Sequence, residues 1–355
     1  MWMKSGSPAC KECLLVMLII AGVTAPAARA WNDAGHLTVA RIAWNHMPAG
    51  QRDAVVSILR RHPHHDQLLL KDRHADASDA EWIFIRAATW PDHVRPPRTV
   101  SRQEMETHPI YKFHRGSWHY VNFPYRSGQT LAALPSEILR GEEANGSNIL
   151  EQLDLCMRLL QNDLLNDPDH AEGVTREQNK AVRLCWLFHL VGDLHQPLHV
   201  ATLVDEVRFP HGAHSDQGGN LLIIRPHAGA TPHKLHAFWD ERLGTNSHFP
   251  AVSDLAEMLT RDPSLAPAQL PELTQNRHFR QWAAEGYQYA KTTVYHDGRF
   301  SAALAEDYEH HRITADDVPI LPQAAEAAAN QVARRRIVLA GYRLAGLLRQ
   351  ILERP

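Results

Sequence analysis

A histidine and an aspartate four residues apart, His189 and Asp193, follow one of the most apolar stretches of the chain, Leu184-Cys185-Trp186-Leu187-Phe188. At that spacing both side chains leave the same face of a helix. Burying an imidazole and a carboxylate among such neighbours is costly unless something satisfies them. A divalent cation does so, because it takes imidazole nitrogen and carboxylate oxygen together; a mutually satisfied core pair is the plainer alternative. The His-x-x-x-Asp spacing recurs at His236 and Asp240, within Leu235-His236-Ala237-Phe238-Trp239-Asp240. In a chain with 24 histidines one such pair is weak evidence. Two pairs, one in a buried setting, argue for a metal centre.

Other residues of the right type lie nearby or in similar surroundings. His199 follows a proline break at Pro197, whereas His195 falls on the other side of an ideal helix and should lie behind the site or face solvent. Asp92, in Ala88-Thr89-Trp90-Pro91-Asp92, and His119, in Trp118-His119-Tyr120-Val121-Asn122, add a carboxylate and an imidazole among aromatic residues. Each of these, taken singly, has an ordinary structural explanation.

The elements that must position these groups are mostly helices. Ile149, Leu153, Cys156, Leu160 and Leu164 repeat at three-four spacing, which predicts a helix over 148–166 with Asn148 and Glu151 as a capping box. A second helix should run from about Thr175, with Gln178 three residues on, to about His195, central and buried because it is apolar all round. It must stop before Pro197. A long amphipathic helix is expected over 322–352, with shorter ones near 34–46, 51–61, 79–88, 232–242 and 273–294. Strand signal is confined to Asn220–Arg225 and Trp118–Asn122, and no repeat or linker-like segment divides the chain. The expectation is therefore a single all-α domain over 31–355 with one minor short β-hairpin.

Residues 1–30 read as an address. Leu14–Val23 is an apolar run too short to span a bilayer comfortably but suited to a signal-peptide core, and Ala28-Arg29-Ala30 offers a cleavage site; a short membrane anchor is the other reading. Cleavage there makes Trp31 the new N-terminus, whose α-amine could join His36 on a cation. The full chain carries a net charge of −3, and the cleaved one near −5, which excludes gripping nucleic acid by a blanket basic surface. The remaining cysteines, Cys156 and Cys185, fall on apolar helix faces. An exported compartment permits a bridge between them, and two buried free thiols fit the faces equally well.

In this order, Trp31, His36, Asp92, His119, His189, Asp193, His199, His236 and Asp240 resemble the ligand set of the S1/P1 nuclease family of exported zinc enzymes, whose helical fold is shared with zinc-dependent phospholipases C. The most specific pieces are Gly192-Asp193-Leu194-His195-Gln196-Pro197-Leu198-His199, Gly218-Gly219-Asn220 and the segment Leu235–Asp240. The resemblance spans nearly all of the chain from Trp31 onward. It implies a phospholipase C/P1 nuclease-like fold and three zinc ions. Asp92, His119, His189 and Asp193 would hold the first, and His199, His236 and Asp240 the second. The amine and carbonyl of Trp31, His36 and a bridging Asp193 would hold the third. It further implies hydrolysis of P–O3′ bonds in single-stranded DNA or RNA by a zinc-activated water, through which Asp92 and Asp193 act, leaving 5′-nucleotides, with 3′-nucleotidase activity.

Where fungal members carry an acidic residue near the attacking water, this chain has Asn122, which can orient water but not act as a base. Counterparts of the fungal disulfides are not found. Arg95, Asn122 and Asn220 are candidate substrate contacts. The implied partners are single-stranded nucleic acid and 3′-nucleotides, with no stable membrane association and no obligate protein partner, in a periplasmic or secreted location. Two alternatives compete. One is a zinc-dependent phospholipase C, whose second site typically ends in glutamate where this chain has Asp240. The other is a non-enzymatic exported zinc-binding protein, though no long histidine tract supports it.

Overall fold

A computed structural model describes residues 31–128, 134–139, 147–162, 166–211 and 214–353. The proposed leader and its cleavage site lie outside them, as does Leu164.

The helix Arg176–Asp193 is the axis of the molecule. Thr175 and Gln178 close its N-terminus as a capping box, and every residue from Ala181 to Asp193 is buried. Burial on all sides follows from its all-round apolar surface, which needs partners in every direction. It packs against the helices Ala49–Leu59, Ile149–Gln161 and Gln323–Leu352, and against the short helix Trp90–His93. The helix Ile149–Gln161 has the Asn148/Glu151 capping box and buries Ile149, Leu153, Cys156 and Leu160. The N-terminal helix Asp33–Asn45 lies across the C-terminal helix Gln323–Leu352 and also touches Asp79–Arg86 and Phe249–Arg261. The helix predicted over 273–294 is divided into Glu272–Gln275, Phe279–Tyr289 and a π turn over Ala290–Val294.

The strands depart from the single hairpin expected. Phe123–Tyr125 (β1) pairs in parallel with Ala201–Leu203 (β2), and Leu222–Ile224 (β3) lies between His233–Lys234 (β4) and Ala303–Leu304 (β5) in a small antiparallel sheet. The strand predicted over Trp118–Asn122 begins instead at Phe123, after a 3-10 turn over Gly116–His119. Pairing starts late because its partner chain emerges only past His199: the Val121 amide donates to the His199 carbonyl at 2.8 Å, and the ladder follows. Cys156 and Cys185 are both free and buried, so no bridge joins them. Among the described residues no helix is long and apolar enough to cross a membrane.

Candidate metal centre

Six elements deliver the predicted residues to one buried place. The end of the central helix supplies His189 and Asp193, and the turn after Pro197 supplies His199. The helix Leu235–Asp240 supplies His236 and Asp240, the N-terminal helix supplies His36, and the Trp90–His93 helix with the turn before β1 supplies Asp92 and His119. All eight side chains are at most 6% exposed. Their ligand atoms form three groups: His36, Asp92 and His189; His119, His189 and Asp193; and His199, His236 and Asp240. Within each group the atoms lie within 4.8 Å of one another.

Asp193 is the hub. One carboxylate oxygen stands 3.1 Å from His36 Nε2. The other is 3.0 Å from His119 Nδ1 and 3.2 Å from His189 Nε2. The His36 and His189 rings stack at 4.0 Å. Gly192 permits this, since a Cβ there would stand 2.7 Å from His36 Nδ1.

Backbone carbonyls set the ring tautomers. His189 Nδ1 donates to the Ala88 carbonyl at 2.7 Å, His199 Nδ1 to the His119 carbonyl at 2.7 Å, and His236 Nδ1 to the Gly218 carbonyl at 2.6 Å. A carbonyl only accepts, so each ring keeps its hydrogen on Nδ1 and turns Nε2 inward. Gly218 reaches the required conformation with φ of +62°, and a Cβ there would meet the Leu198 carbonyl oxygen at 2.6 Å.

Inward-facing nitrogens then confront each other: His199 Nε2 stands 3.1 Å from His236 Nε2. Burial pushes His236 down to about 3 and lowers His199 as well, so both rings are neutral and two lone pairs face one another. A cation between them makes that arrangement favourable. Two ligands of a tetrahedral ion with bonds of 2.0–2.1 Å stand roughly 3.3 Å apart, close to the spacing seen. In the neighbouring group, burial, the strongest influence, opposes a charge on His189, yet Asp193 and Asp92 lift it to about 9. Burial pulls His119 down to about 4. Both oxygens of Asp92, one of Asp193, Nε2 of His119 and both ring nitrogens of His36 are buried without a hydrogen-bond partner. Orphaned polar atoms on this scale are rare in native proteins, and this donor set fits a divalent cation.

Around this cluster the remaining expectations separate. Trp31 is fully buried, and the amide of the next residue, Asn32, donates to the Asp240 carbonyl at 3.3 Å, which ties the start of the fold to the second histidine–aspartate pair. Arg95 reaches to 3.7 Å from Asp92 with its side chain a quarter exposed, at the rim of the cluster. Asn122 lies half-buried at the head of β1. Asn220 donates its amide to the Gln217 carbonyl at 2.9 Å. Of the two places predicted for His195, the one facing solvent is corrected: the ring is fully buried, bonded to the Val191 carbonyl and to Arg343.

Sequence reasoning missed Gln196, which donates to Asp240 Oδ1 at 2.8 Å and accepts the Leu198 amide. It stands inside the most specific motif, yet its type carries no metal signal. The half-buried His114 was also missed; burial and the nearby His119 and Arg95 hold it at about 4.

A mainly helical body built around buried histidine–aspartate groups defines the class of molecule: a helical protein with a candidate metal centre. The particular family follows from comparison. The family profile described as S1/P1 Nuclease matches residues 31–353, and the chain belongs to that family. It is similar to "Endonuclease 1" of Arabidopsis thaliana, at 24% identity covering 98% of this chain and 96% of that protein. It is also similar to "Endonuclease 4" of the same plant, at 22% identity covering 90% and 89%. The protein is thus a hydrolase of phosphodiester bonds, and the non-enzymatic zinc-binding alternative falls away.

Proposed function

We propose that this protein is an exported, zinc-dependent nuclease. It hydrolyses P–O3′ bonds of single-stranded DNA and RNA to 5′-nucleotides and removes phosphate from 3′-nucleotides. The reading is carried by one observation: buried imidazoles gathered in three groups around Asp92, Asp193 and Asp240, with both oxygens of Asp92 and one of Asp193 lacking a hydrogen-bond partner. In this reading Asp92, His119, His189 and Asp193 hold one zinc ion, and His199, His236 and Asp240 a second. Trp31, His36 and Asp193 hold a third. Zinc in such a site supplies Lewis acidity, lowering the pKa of water toward neutrality and offsetting charge that gathers on phosphoryl oxygens.

The protein's own residues do the rest. The Ala88, His119 and Gly218 carbonyls orient three of the imidazoles, and Gln196 holds Asp240 in place. Asp193 joins two of the groups through opposite oxygens. Arg95, at the rim, is placed to meet a phosphate, and Asn122 can orient a water but cannot take its proton. Because the ligands are recessed, a stiff duplex is a poor substrate, and affinity comes from the site itself rather than from a long basic groove.

The test is hydrolysis of matched single-stranded and duplex oligonucleotides by protein with a verified Trp31 N-terminus and a measured metal content. The expected result is three zinc ions per chain, faster cleavage of the single strand and products ending in 5′-phosphate. Products ending in 3′-phosphate, or equal cleavage of the duplex, would overturn the reading.

A further inference from the structure

His236 is gripped at two points by a pair of glycines. Its Nδ1 donates to the Gly218 carbonyl at 2.6 Å, and its backbone amide to the Gly219 carbonyl at 3.3 Å. Both glycines have positive φ, +62° and +82°, a conformation that costs other residues strain and that glycine adopts as readily as many others. A turn of two glycines has little stiffness of its own, so something outside it must hold the two carbonyls on His236.

What holds it is a carboxylate outside the ligand set. Asp216 is fully buried, as is Thr202. Thr202 Oγ1 accepts the Gly218 amide at 3.2 Å and donates to Asp216 Oδ1 at 2.9 Å. The Gly219 amide is a further donor to the same carboxylate. Asp216 Oδ1 also accepts the Leu203 amide at 2.9 Å, and Oδ2 accepts the Tyr295 hydroxyl at 2.8 Å. The Asp216 backbone adds two ties: its amide donates to the Leu203 carbonyl at 2.9 Å, and its carbonyl accepts the Leu221 amide at 3.1 Å.

These partners belong to the two arms of one histidine pair. Thr202 and Leu203 lie in β2, which begins just past His199, and Gly218 and Gly219 carry His236. Asp216 therefore staples the His199 arm to the His236 arm, whose Nε2 atoms stand 3.1 Å apart. A carboxylate bonded only within its own turn would shape that turn and nothing more. This one spans both arms, so moving it shifts one imidazole against the other. Groups that orient a ligating imidazole without touching the ion set its affinity.

We infer that Asp216 is a positioning residue for the His199, His236 and Asp240 group. Acting through Thr202 and the glycine pair, it fixes the spacing of the two imidazoles and so tunes the metal affinity of that group alone. The inference rests on the proposed reading of the group as a zinc site, and not on the substrate.

Chelator competition on the zinc-loaded protein tests it, following each bound equivalent, with urea unfolding of the zinc-free chain as the measure of stability. Asp216→Ala should weaken one equivalent roughly 10- to 100-fold and leave the others as they are. Thr202→Val, which removes the hydroxyl but keeps the shape, should weaken the same equivalent. Asp216→Asn keeps an acceptor for Thr202 and should recover most of the loss. Tyr295→Phe removes a donor from the other carboxylate oxygen, and should lower stability with zinc affinity unchanged. Should Asp216→Ala fail to fold, Thr202→Val against Tyr295→Phe carries the same comparison. Natural zinc affinity in Thr202→Val would overturn the inference. So would a loss spread over all equivalents, or one that follows stability in Tyr295→Phe as well. A natural chain that binds no zinc would overturn the metal reading and this inference together, whereas zinc bound by a chain of another substrate specificity leaves the variants to decide.

Discussion

The central helix carries two buried polar clusters, and they are built on opposite plans. Near its middle, Arg183 is matched by what surrounds it. Its Nε donates to Asp167 at 2.7 Å, Nη2 to Asp167 and to Asp169 at 2.9 Å, and Nη1 to Gln152 at 3.0 Å. Asn179 donates to Asp167 at 2.7 Å, and the guanidinium lies 5.0 Å from the Trp118 ring centroid. Every donor has an acceptor and the charges oppose. At the C-terminal end of the same helix, His189 and Asp193 belong to a group in which several buried polar atoms have no partner. Burial alone does not distinguish the two, because the Arg183 and Asp167 side chains are as enclosed as the histidines and only Asp169 is partly exposed. Complementarity does: a closed network stabilises the fold, and an open one of a single kind is shaped for an ion.

That contrast can be broken at either end. Asp193→Asn should have the largest effect, since it weakens the contacts of one carboxylate with three histidines. Elemental analysis should show two zinc ions lost per chain, and hydrolysis should fall by roughly a thousandfold or more. Retention of all three ions would refute Asp193 as a bridge. Arg183→Met should instead cost about 3–5 kcal/mol of stability, because it strands Asp167 and Asp169 without their partner; denaturant unfolding reads this directly. Arg183 holds Asp167 below its usual range, although burial pushes the other way. The pair therefore stabilises above the ordinary carboxylate pKa, and its contribution fades as pH falls through the lower folded value. The stability gap between the two proteins should narrow below about pH 4. A gap that widened in acid would refute the pairing. Gln196→Ala should be smallest, with metal affinity at the second pair reduced roughly 10- to 100-fold and stability little changed. Zinc competition with a chelator measures it.

Much of the open cluster was legible because its residue types are chemically loud. His189/Asp193 and His236/Asp240 announce themselves at helical spacing in apolar surroundings, and His199 follows at the proline break. The helical boundaries were legible for the same reason that the capping boxes at Asn148 and Thr175 formed: they depend on neighbours three residues away. The parts that stayed hidden depend on distant backbone. Nothing local in Ala88 or Gly218 foretells that their carbonyls fix an imidazole tautomer. Nothing in Phe123–Tyr125 foretells a parallel partner in Ala201–Leu203. His195 is the clearest case, since its helical angle turned it away from the cluster, but only Arg343 from the far end of the chain decided that the place was buried.

Residue chemistry and short-range periodicity thus determined that this would be a helical protein with imidazoles and carboxylates committed to buried positions. Which of them meet, which nitrogen each ring presents and which buried charge is left uncompensated were decided by packing between segments remote in the chain. Local spacing constrains a side chain's direction within one element. Electrostatic complementarity is a property of the whole enclosed volume, and only the assembled fold defines that volume.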